Sequence, residues 1–157
     1  MKMRRGEKAV IEQGEIEKIL KAGRVCQLAF AAEPAPYLVT LNYGYADGAL
    51  YFHSAPEGRK LDLARENPIV GFTVALDLGL VRGEGTQACD WSTRYRSVVG
   101  YGRLVFLDRD VEKQHGLDMI MAQYASGSFS YSARALAATQ VYRLEIIEQT
   151  AKQSRVD

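Results

Sequence analysis

Two alternating runs joined by an Asp47-Gly48 turn are the feature that most constrains this chain. Alternation over residues 37–45 places Tyr37, Val39, Leu41, Tyr43 and Tyr45 on one face of a predicted strand. Asp-Gly is typical of a tight hairpin, so residues 50–54 should return antiparallel to that strand. The short links around these segments leave no room for crossover helices, which argues against a parallel sheet.

Similar patterns along the chain predict four more strands and three short helices. The further strands are expected over residues 24–31, 69–76, 93–107 and 140–150. One helix carries the apolar stripe Ile16, Ile19 and Leu20, and a second spans residues 59–67. A third follows Asp108 or Asp110, with apolar positions at Leu117, Ile120, Met121 and Tyr124. Six mostly hairpin-connected strands predict a small closed or split β-barrel in a single domain, residues 1–157.

The strand predicted over residues 93–107 is unusually long. Fifteen residues at about 3.3 Å each would reach roughly 50 Å, beyond the usual strand length. Gly100 and Gly102 are therefore expected to form a bulge or a bend. The polar residues 151–157 after the last strand are expected to form a loose tail.

Composition narrows the classes of protein to which this chain can belong. Among 157 residues, 47% are hydrophobic and 25% charged, the balance of a globular protein with one core. A net charge of only +1 argues against a general nucleic-acid binder, which concentrates uncompensated cations. The basic start of the chain lacks a signal-peptide core, and no apolar run could span a bilayer. A cytoplasmic location is the resulting expectation.

Cysteine and histidine usage indicates neither a disulfide nor a metal site. Cys26 and Cys89 lie far apart, and with only His53 and His115 beside them no metal-ligand spacing arises. Cys26 falls within a strand pattern, which favours a small core residue over a nucleophile.

The strand-to-helix connection after residue 54 carries the clearest chemical signal. Pro56 and Gly58 break the strand, and His53, Ser54, Arg59 and Lys60 gather around the turn. Unpaired N–H groups at a helix start suit an anion, and two adjacent cations favour phosphate. A solvated turn with ordinary surface charge is the alternative, since no glycine-rich nucleotide motif is present.

Three segments together resemble a known family over about residues 10–155. They are residues 36–45 (PYLVTLNYGY), 53–60 (HSAPEGRK) and 91–102 (WSTRYRSVVGYG). In these segments and their order, the chain resembles the FMN-binding split β-barrel proteins related to pyridoxamine 5′-phosphate oxidase. Within that family it is most similar to the nitroimidazole-resistance (Nim-like) branch.

The resemblance implies a six-stranded antiparallel split β-barrel that forms a homodimer with two FMN molecules, each in a groove between subunits. It assigns the flavin phosphate to the turn formed by His53, Ser54, Arg59 and Lys60. It assigns the strand beside the flavin ring to Val39, Thr40, Leu41, Asn42 and Tyr43. The partner subunit's contribution falls on residues 91–96, with Trp91, Tyr95 and Arg96 as its contacts.

The residue types agree with these assignments, although structural alternatives remain for each. Thr40 and Asn42 share a strand face and could bind the polar edge of the ring, while Trp91 or Tyr95 could cover its apolar end. Equally, Thr40 and Asn42 could be hydrogen-bonded within the barrel, and His53 could be structural. The tyrosines at 37, 43 and 45 fit core and interface positions better than cofactor contacts, and Arg94 and Arg96 could belong to a solvated edge.

One departure from the family limits the reaction that the resemblance implies. The vitamin-pathway oxidases carry a C-terminal Arg-and-His substrate motif, whereas this chain has no histidine after His115. The leading hypothesis is therefore a flavin-dependent reductase that moves electrons from a reduced nicotinamide to a small electrophile, such as a nitroaromatic. His53 is its candidate acid or base. A non-catalytic flavin binder or sensor and a haem-binding barrel are the alternatives.

Overall fold

An eight-stranded antiparallel sheet forms most of the molecule in the computed structural model, which describes residues 4–156. The strands are β1 (Ala9–Val10), β2 (Val25–Phe30), β3 (Tyr37–Asn42), β4 (Gly44–Ala46), β5 (Ala49–Ser54), β6 (Ile69–Val81), β7 (Ser92–Leu107) and β8 (Gln140–Ser154). The helices are α1 (Gln13–Ala22), α2 (Arg59–Glu66), α3 (Asp110–Ala122) and α4 (Ala133–Ala137). Two 3-10 turns, Gly6–Lys8 and Ala88–Asp90, complete the described elements.

The sheet curls into a barrel because its two end strands are consecutive in the chain. The strand order is β3-β2-β6-β7-β8-β5-β4, with β1 added at β8. Only Tyr43 separates β3 from β4, so one extended segment pairs with β2 through its first half and with β5 through its second. The predicted antiparallel split barrel is thus confirmed, including the hairpin, where Asp47 and Gly48 both adopt positive φ.

The prediction of six strands was too low. The segment predicted as one strand over residues 37–45 divides at Tyr43, and the short β1 had not been predicted. The expectation of a loose tail was also wrong for residues 151–154, which continue β8. Lys152 of β8 pairs with Ala9 of β1 on one side of the strand. On the other side, Ala151 and Ser154 pair with β7, and both are buried. Pairing on both sides holds a segment whose polar sequence suggested a tail.

Glycines allow the two longest strands, β7 and β8, to bend together. Their register shifts between Tyr101 and Gly102, as expected from Gly100 and Gly102. A Cβ atom at Gly100 would clash with the Glu148 carbonyl oxygen, and one at Gly102 would clash with the Glu145 carbonyl oxygen. The close approach of the two backbones therefore requires glycine at both positions.

Two apolar clusters stabilise the barrel and its helices. The larger fills the inner face of the sheet beneath α1 and α2 and includes Cys26, whose predicted burial is confirmed. The smaller lies under α3, around Tyr51 and Ile120. The longest described helix, α3, has 13 residues, and no helix among residues 4–156 is both long and apolar enough to cross a membrane.

Gln123 and Tyr124, which follow α3, form hydrogen bonds with backbone groups near Tyr43, where β3 ends and β4 begins. The Tyr124 hydroxyl accepts a hydrogen bond from the Tyr43 N–H at 3.1 Å and donates one to the Arg24 carbonyl. The Gln123 side chain accepts from the Tyr45 N–H and donates to the carbonyls of Leu20, Lys21 and Gly23 near the end of α1. Backbone groups that leave the sheet ladder at Tyr43 therefore remain paired.

Candidate functional site

The β5–α2 turn presents free backbone donors at the start of a helix. Gly58 precedes α2 with φ of 136°, a conformation that favours glycine, and its carbonyl accepts from the N–H groups of Leu61 and Asp62. The N–H groups of Arg59 and Lys60 have no acceptor among the described residues. This arrangement leaves the positive end of the α2 dipole open to an anion.

Arg59 and Lys60 add two uncompensated cations to this turn. Within residues 4–156, neither side chain forms an ion pair with a carboxylate. The Arg59 guanidinium lies 4.9 Å from the centroid of the Tyr37 ring, at the start of β3. This contact connects the turn to the strand assigned to the flavin ring.

A buried tyrosine hydroxyl lies close to the same turn. Tyr142 in β8 is paired with Phe52, and its ring stacks on Phe52 at 5.7 Å between centroids. Burial raises the pKa of Tyr142 to about 12, while the nearby Ser54 hydroxyl lowers it in part. Tyr142 Oη has no hydrogen-bond partner of standard geometry in the described part of the chain. A buried polar atom without a partner is unusual and fits a position beside a ligand.

In β3, the backbone groups along the unpaired edge are more accessible to a ligand than most of the side chains. Val39 and Leu41 point inward and pack against the larger cluster, and Tyr43 is buried with its hydroxyl donating to the Leu20 carbonyl. Thr40 is exposed on the outer face. The Asn42 amide nitrogen lies 3.2 Å from the Tyr124 hydroxyl and 3.3 Å from the Arg24 carbonyl oxygen. The edge of β3 that does not pair with β2 exposes backbone donors and acceptors that could bind a polar heterocycle.

The third predicted group, Trp91, Tyr95 and Arg96, is not brought to the turn within one chain. Ser54 pairs with Gln140 at one end of β8, whereas Tyr95 pairs with Ser154 at the other. Tyr95 and Arg96 are adjacent in β7, so their side chains leave opposite faces of the sheet. Trp91 is 45% exposed.

Two of the predicted residues, at opposite ends of β8, have polar groups without a partner among residues 4–156. His53, the last residue but one of β5, lies opposite Val141 and is exposed, and its side chain has no hydrogen bond in that range. Arg96 has a buried Nε without a partner in that same range. Within one chain, the structure connects the turn to β3 through the contact between Arg59 and Tyr37, while His53 and Ser54 precede the turn at the end of β5.

The outer face of the sheet from β3 to β7 carries no charge across two adjacent rows. One row consists of Leu38, Ala29, Gly71 and Tyr101, and the next of Thr40, Gln27, Thr73 and Val99. Leu38 is 65% exposed and Val99 45% exposed. We call these eight residues the uncharged outer face. Apolar side chains exposed on such a surface are typical of an interaction face.

Two features of the site, the Tyr142 hydroxyl and the contact between Arg59 and Tyr37, could not be predicted from the sequence. The alternation around Tyr142 indicated a strand face, but no sequence signal showed that its hydroxyl approaches Ser54. The contact between Arg59 and Tyr37 was also not predicted, because the two residues belong to different elements that meet only in the folded chain.

A family comparison covers nearly the whole chain. The family model described as pyridoxamine 5′-phosphate oxidase matches residues 12–153. Among curated sequences, an uncharacterized protein of Rhizobium meliloti (strain 1021) is 33% identical over 66 residues. That match covers 42% of this chain, which aligns with only 43% of the relative's length.

Solved structures with the same fold include a candidate 5-nitroimidazole antibiotic resistance protein from Bacteroides thetaiotaomicron. It is 32% identical with a TM-score of 0.81, over 92% of this chain and 86% of that one. A FAD-binding protein from Mesorhizobium loti is 27% identical with a TM-score of 0.65, over 92% and 96% of the two chains. The FAD and heme binding protein from Mycobacterium smegmatis is 20% identical with a TM-score of 0.84, over 95% and 74%.

Proposed function

Because the chain belongs to the pyridoxamine 5′-phosphate oxidase family, in its nitroimidazole-resistance-like branch, we propose that it is an FMN-dependent oxidoreductase. The observation that carries the proposal is the β5–α2 turn, where free N–H groups accompany two cations without an ion pair among residues 4–156, and where Arg59 contacts Tyr37 at the start of β3. The FAD-binding relative from Mesorhizobium loti supports a flavin as the ligand.

The residues of the turn fit a flavin phosphate. Arg59 and Lys60 can neutralise its charge, and the N–H groups at the start of α2 can donate to its oxygens. Ser54 now donates to the Ala55 carbonyl at 2.8 Å and could turn toward the phosphate. The Tyr142 hydroxyl, which forms no hydrogen bond of standard geometry within residues 4–156, would gain one there. Charge-assisted bonds of this type contribute on the order of 1.5–3 kcal/mol each.

The proposed ring site lies along β3, with Thr40 and the free strand edge as its polar contacts. Val39, Leu41 and Tyr43 would support the ring through the backbone, because their side chains pack inward. Asn42 can offer its carbonyl oxygen, since its amide nitrogen already lies near Tyr124 and Arg24. When bound, FMN supplies two-electron chemistry between a reduced nicotinamide and an electrophile.

We further propose that two copies of the chain share each flavin. The uncharged outer face is the surface available for two-fold association, the commonest symmetry of soluble oligomers. Residues 91–96 lie too far from the turn to reach the same flavin within one chain. A second copy could supply Trp91 and Tyr95 to the open side of the ring.

The substrate side of the proposal is a small electrophile such as a nitroaromatic. The candidate resistance protein from Bacteroides thetaiotaomicron supports this choice, at 32% identity over most of both chains. His53 is the proposed proton donor, because it is exposed beside the turn and its side chain forms no hydrogen bond with residues 4–156.

The absorbance spectrum of the purified protein, followed by anaerobic mixing with NADH or NADPH, tests this function. We expect a flavin spectrum that bleaches with at least one donor. The reduced protein should then reoxidise faster with a nitroaromatic than free FMN does. A flavin spectrum without either reaction would indicate a flavin-binding protein without turnover. A Soret band without flavin would contradict the proposal in favour of haem.

A further inference from the structure

A second cationic cavity lies at the end of β8 that is remote from the β5–α2 turn. It has a volume of about 330 Å³ and is lined by Arg4, Arg5, Lys8, Tyr95 and Lys152. Pairing between β1 and β8 brings the N-terminal residues to this place, because Ala9 lies opposite Lys152. We call it the N-terminal basic cavity.

Contacts with the barrel hold two of its four cations in place. Lys8 donates from Nζ to the Ser154 hydroxyl at 2.9 Å, and Ser154 is buried. The Lys152 ammonium lies 5.4 Å from the centroid of the Tyr95 ring. Tyr95 and Ser154 are themselves paired across β7 and β8. The Lys8 and Lys152 ammonium groups are therefore held at the wall of the cavity by contacts with the barrel.

These four cations form no ion pair with a carboxylate of residues 4–156, in contrast to five cations elsewhere on the surface. Lys18, Arg65, Arg109 and Arg143 each lie within 3.2 Å of a carboxylate oxygen. By contrast, Arg4, Arg5, Lys8 and Lys152 form no ion pair with any described residue. The whole chain is nearly neutral, with 20 Lys and Arg against 19 Asp and Glu. Four positive side chains around one cavity of such a chain favour an anionic ligand.

We infer that the N-terminal basic cavity binds the diphosphate group of an organic ligand. Four cations around one cavity suit an anion with more than one phosphate, and Arg5 and Arg4 can each bind phosphate oxygens in a bidentate manner. The volume of about 330 Å³ lies at the lower end of the roughly 300–1,000 Å³ range of small-ligand sites. The Tyr95 ring provides an apolar wall for the organic part.

Binding of the diphosphate group itself does not require the flavin site, because the two cation groups lie at opposite ends of β8. A reduced nicotinamide dinucleotide that donates electrons carries such a diphosphate, and this choice of ligand rests on the proposed function.

Calorimetric titration with inorganic pyrophosphate tests the cavity, using the full chain with and without saturating FMN. We expect Arg5→Gln and Lys152→Gln each to weaken pyrophosphate binding about tenfold. Lys18→Gln is the control, since Lys18 is exposed and paired with Glu15 on α1. Arg5 forms no side-chain hydrogen bond with residues 4–156, so its replacement should leave the fold intact. Unchanged affinity in both cavity variants would overturn the inference.

Two further comparisons test the source of the diphosphate. If a nicotinamide dinucleotide supplies it, Arg5→Gln should weaken NADPH or NADH binding to the FMN-saturated protein about tenfold. The same variant should leave FMN binding unchanged. Arg59→Ala should reduce FMN affinity without altering pyrophosphate affinity, which separates failure at the turn from failure at the cavity. No effect of Arg5→Gln on either dinucleotide would contradict an organic diphosphate.

Discussion

At the residue scale, the candidate site consists of polar groups that the folded chain leaves unsatisfied. Arg59 and Lys60 have no carboxylate partner in residues 4–156, and Tyr142 Oη is buried without a standard hydrogen bond. Buried polar atoms are usually paired, so such groups are informative about ligands. Sequence reasoning found the two cations because they are contiguous with a strand end and a helix start. It could not find Tyr142, whose role depends on pairing between β5 and β8.

Replacing either cation of the turn should weaken FMN binding. We expect Arg59→Ala and Lys60→Ala each to reduce affinity by about 1–3 kcal/mol, roughly tenfold or more, through loss of a charge-assisted bond. Fluorescence titration measures this, with riboflavin as the ligand that lacks a phosphate and should bind all variants nearly equally. Arg65→Ala, in the last turn of the same helix, is the matched control. If all three variants bind FMN with the affinity of the wild type, the phosphate does not bind at this turn.

Tyr142→Phe should separate ligand binding from stability. Removing a buried hydroxyl without a partner should leave the free energy of unfolding unchanged or raise it, because its desolvation cost disappears. FMN affinity should nevertheless fall if that hydroxyl donates to the phosphate. Denaturant unfolding of the apo-protein and FMN titration measure the two effects. A less stable variant with normal FMN affinity would show that the hydroxyl is structural.

Alkaline pH should destabilise the fold through buried acids. Burial raises the pKa of Cys26 from 9.0 to about 12, and burial also raises that of Tyr43. Between pH 9 and about 12 the unfolded chain releases the thiol proton while the folded chain keeps it. Stability is therefore full below pH 9 and falls by up to about 1.4 kcal/mol per pH unit for this group. Urea unfolding of wild type and Cys26→Ala across this range should give a shallower decline for the variant; identical slopes would refute the assignment.

At the element scale, local patterns predicted the hairpins and the bend but not the break in the barrel strand. The turn at Asp47-Gly48 and the close backbone approach at the two glycines of β7 can be predicted from the residue types alone. The break at Tyr43 is not, because apolar alternation continues through it. Its cause is tertiary, since the Tyr124 hydroxyl that meets the Tyr43 N–H lies 81 residues away. The end of β8 was missed for the same reason.

Removing the Tyr124 hydroxyl should destabilise the barrel at this break. Tyr124→Phe leaves the Tyr43 N–H without its partner and the Arg24 carbonyl with only the Asn42 amide at 3.3 Å, so we expect a loss of about 1–3 kcal/mol. Chemical denaturation monitored by circular dichroism measures it. Tyr131→Phe, which removes only an exposed bond to Asp118, serves as the comparison and should cost far less. Equal losses in the two variants would contradict a special role for Tyr124.

At the scale of the whole molecule, the predicted site is divided between two ends of the barrel. The turn and β3 meet within one chain, as expected from contiguous sequence and one hairpin. Residues 91–96 stand at the far end of β8 from the turn. Sequence could not foresee that distance, because it follows from strand register along β7 and β8. Register also creates the uncharged outer face, whose residues come from four strands.

Sedimentation velocity across a dilution series, recorded in both the protein and the flavin absorption bands, tests the shared flavin site most directly. We predict that flavin sediments with a species of twice the 17.5 kDa chain mass. FMN should also keep that species assembled at concentrations where the apo-protein dissociates, because a ligand bound across two subunits favours the dimer. Flavin that sediments with a monomer at every concentration would contradict the shared site and the assignment of Trp91, Tyr95 and Arg96 to it.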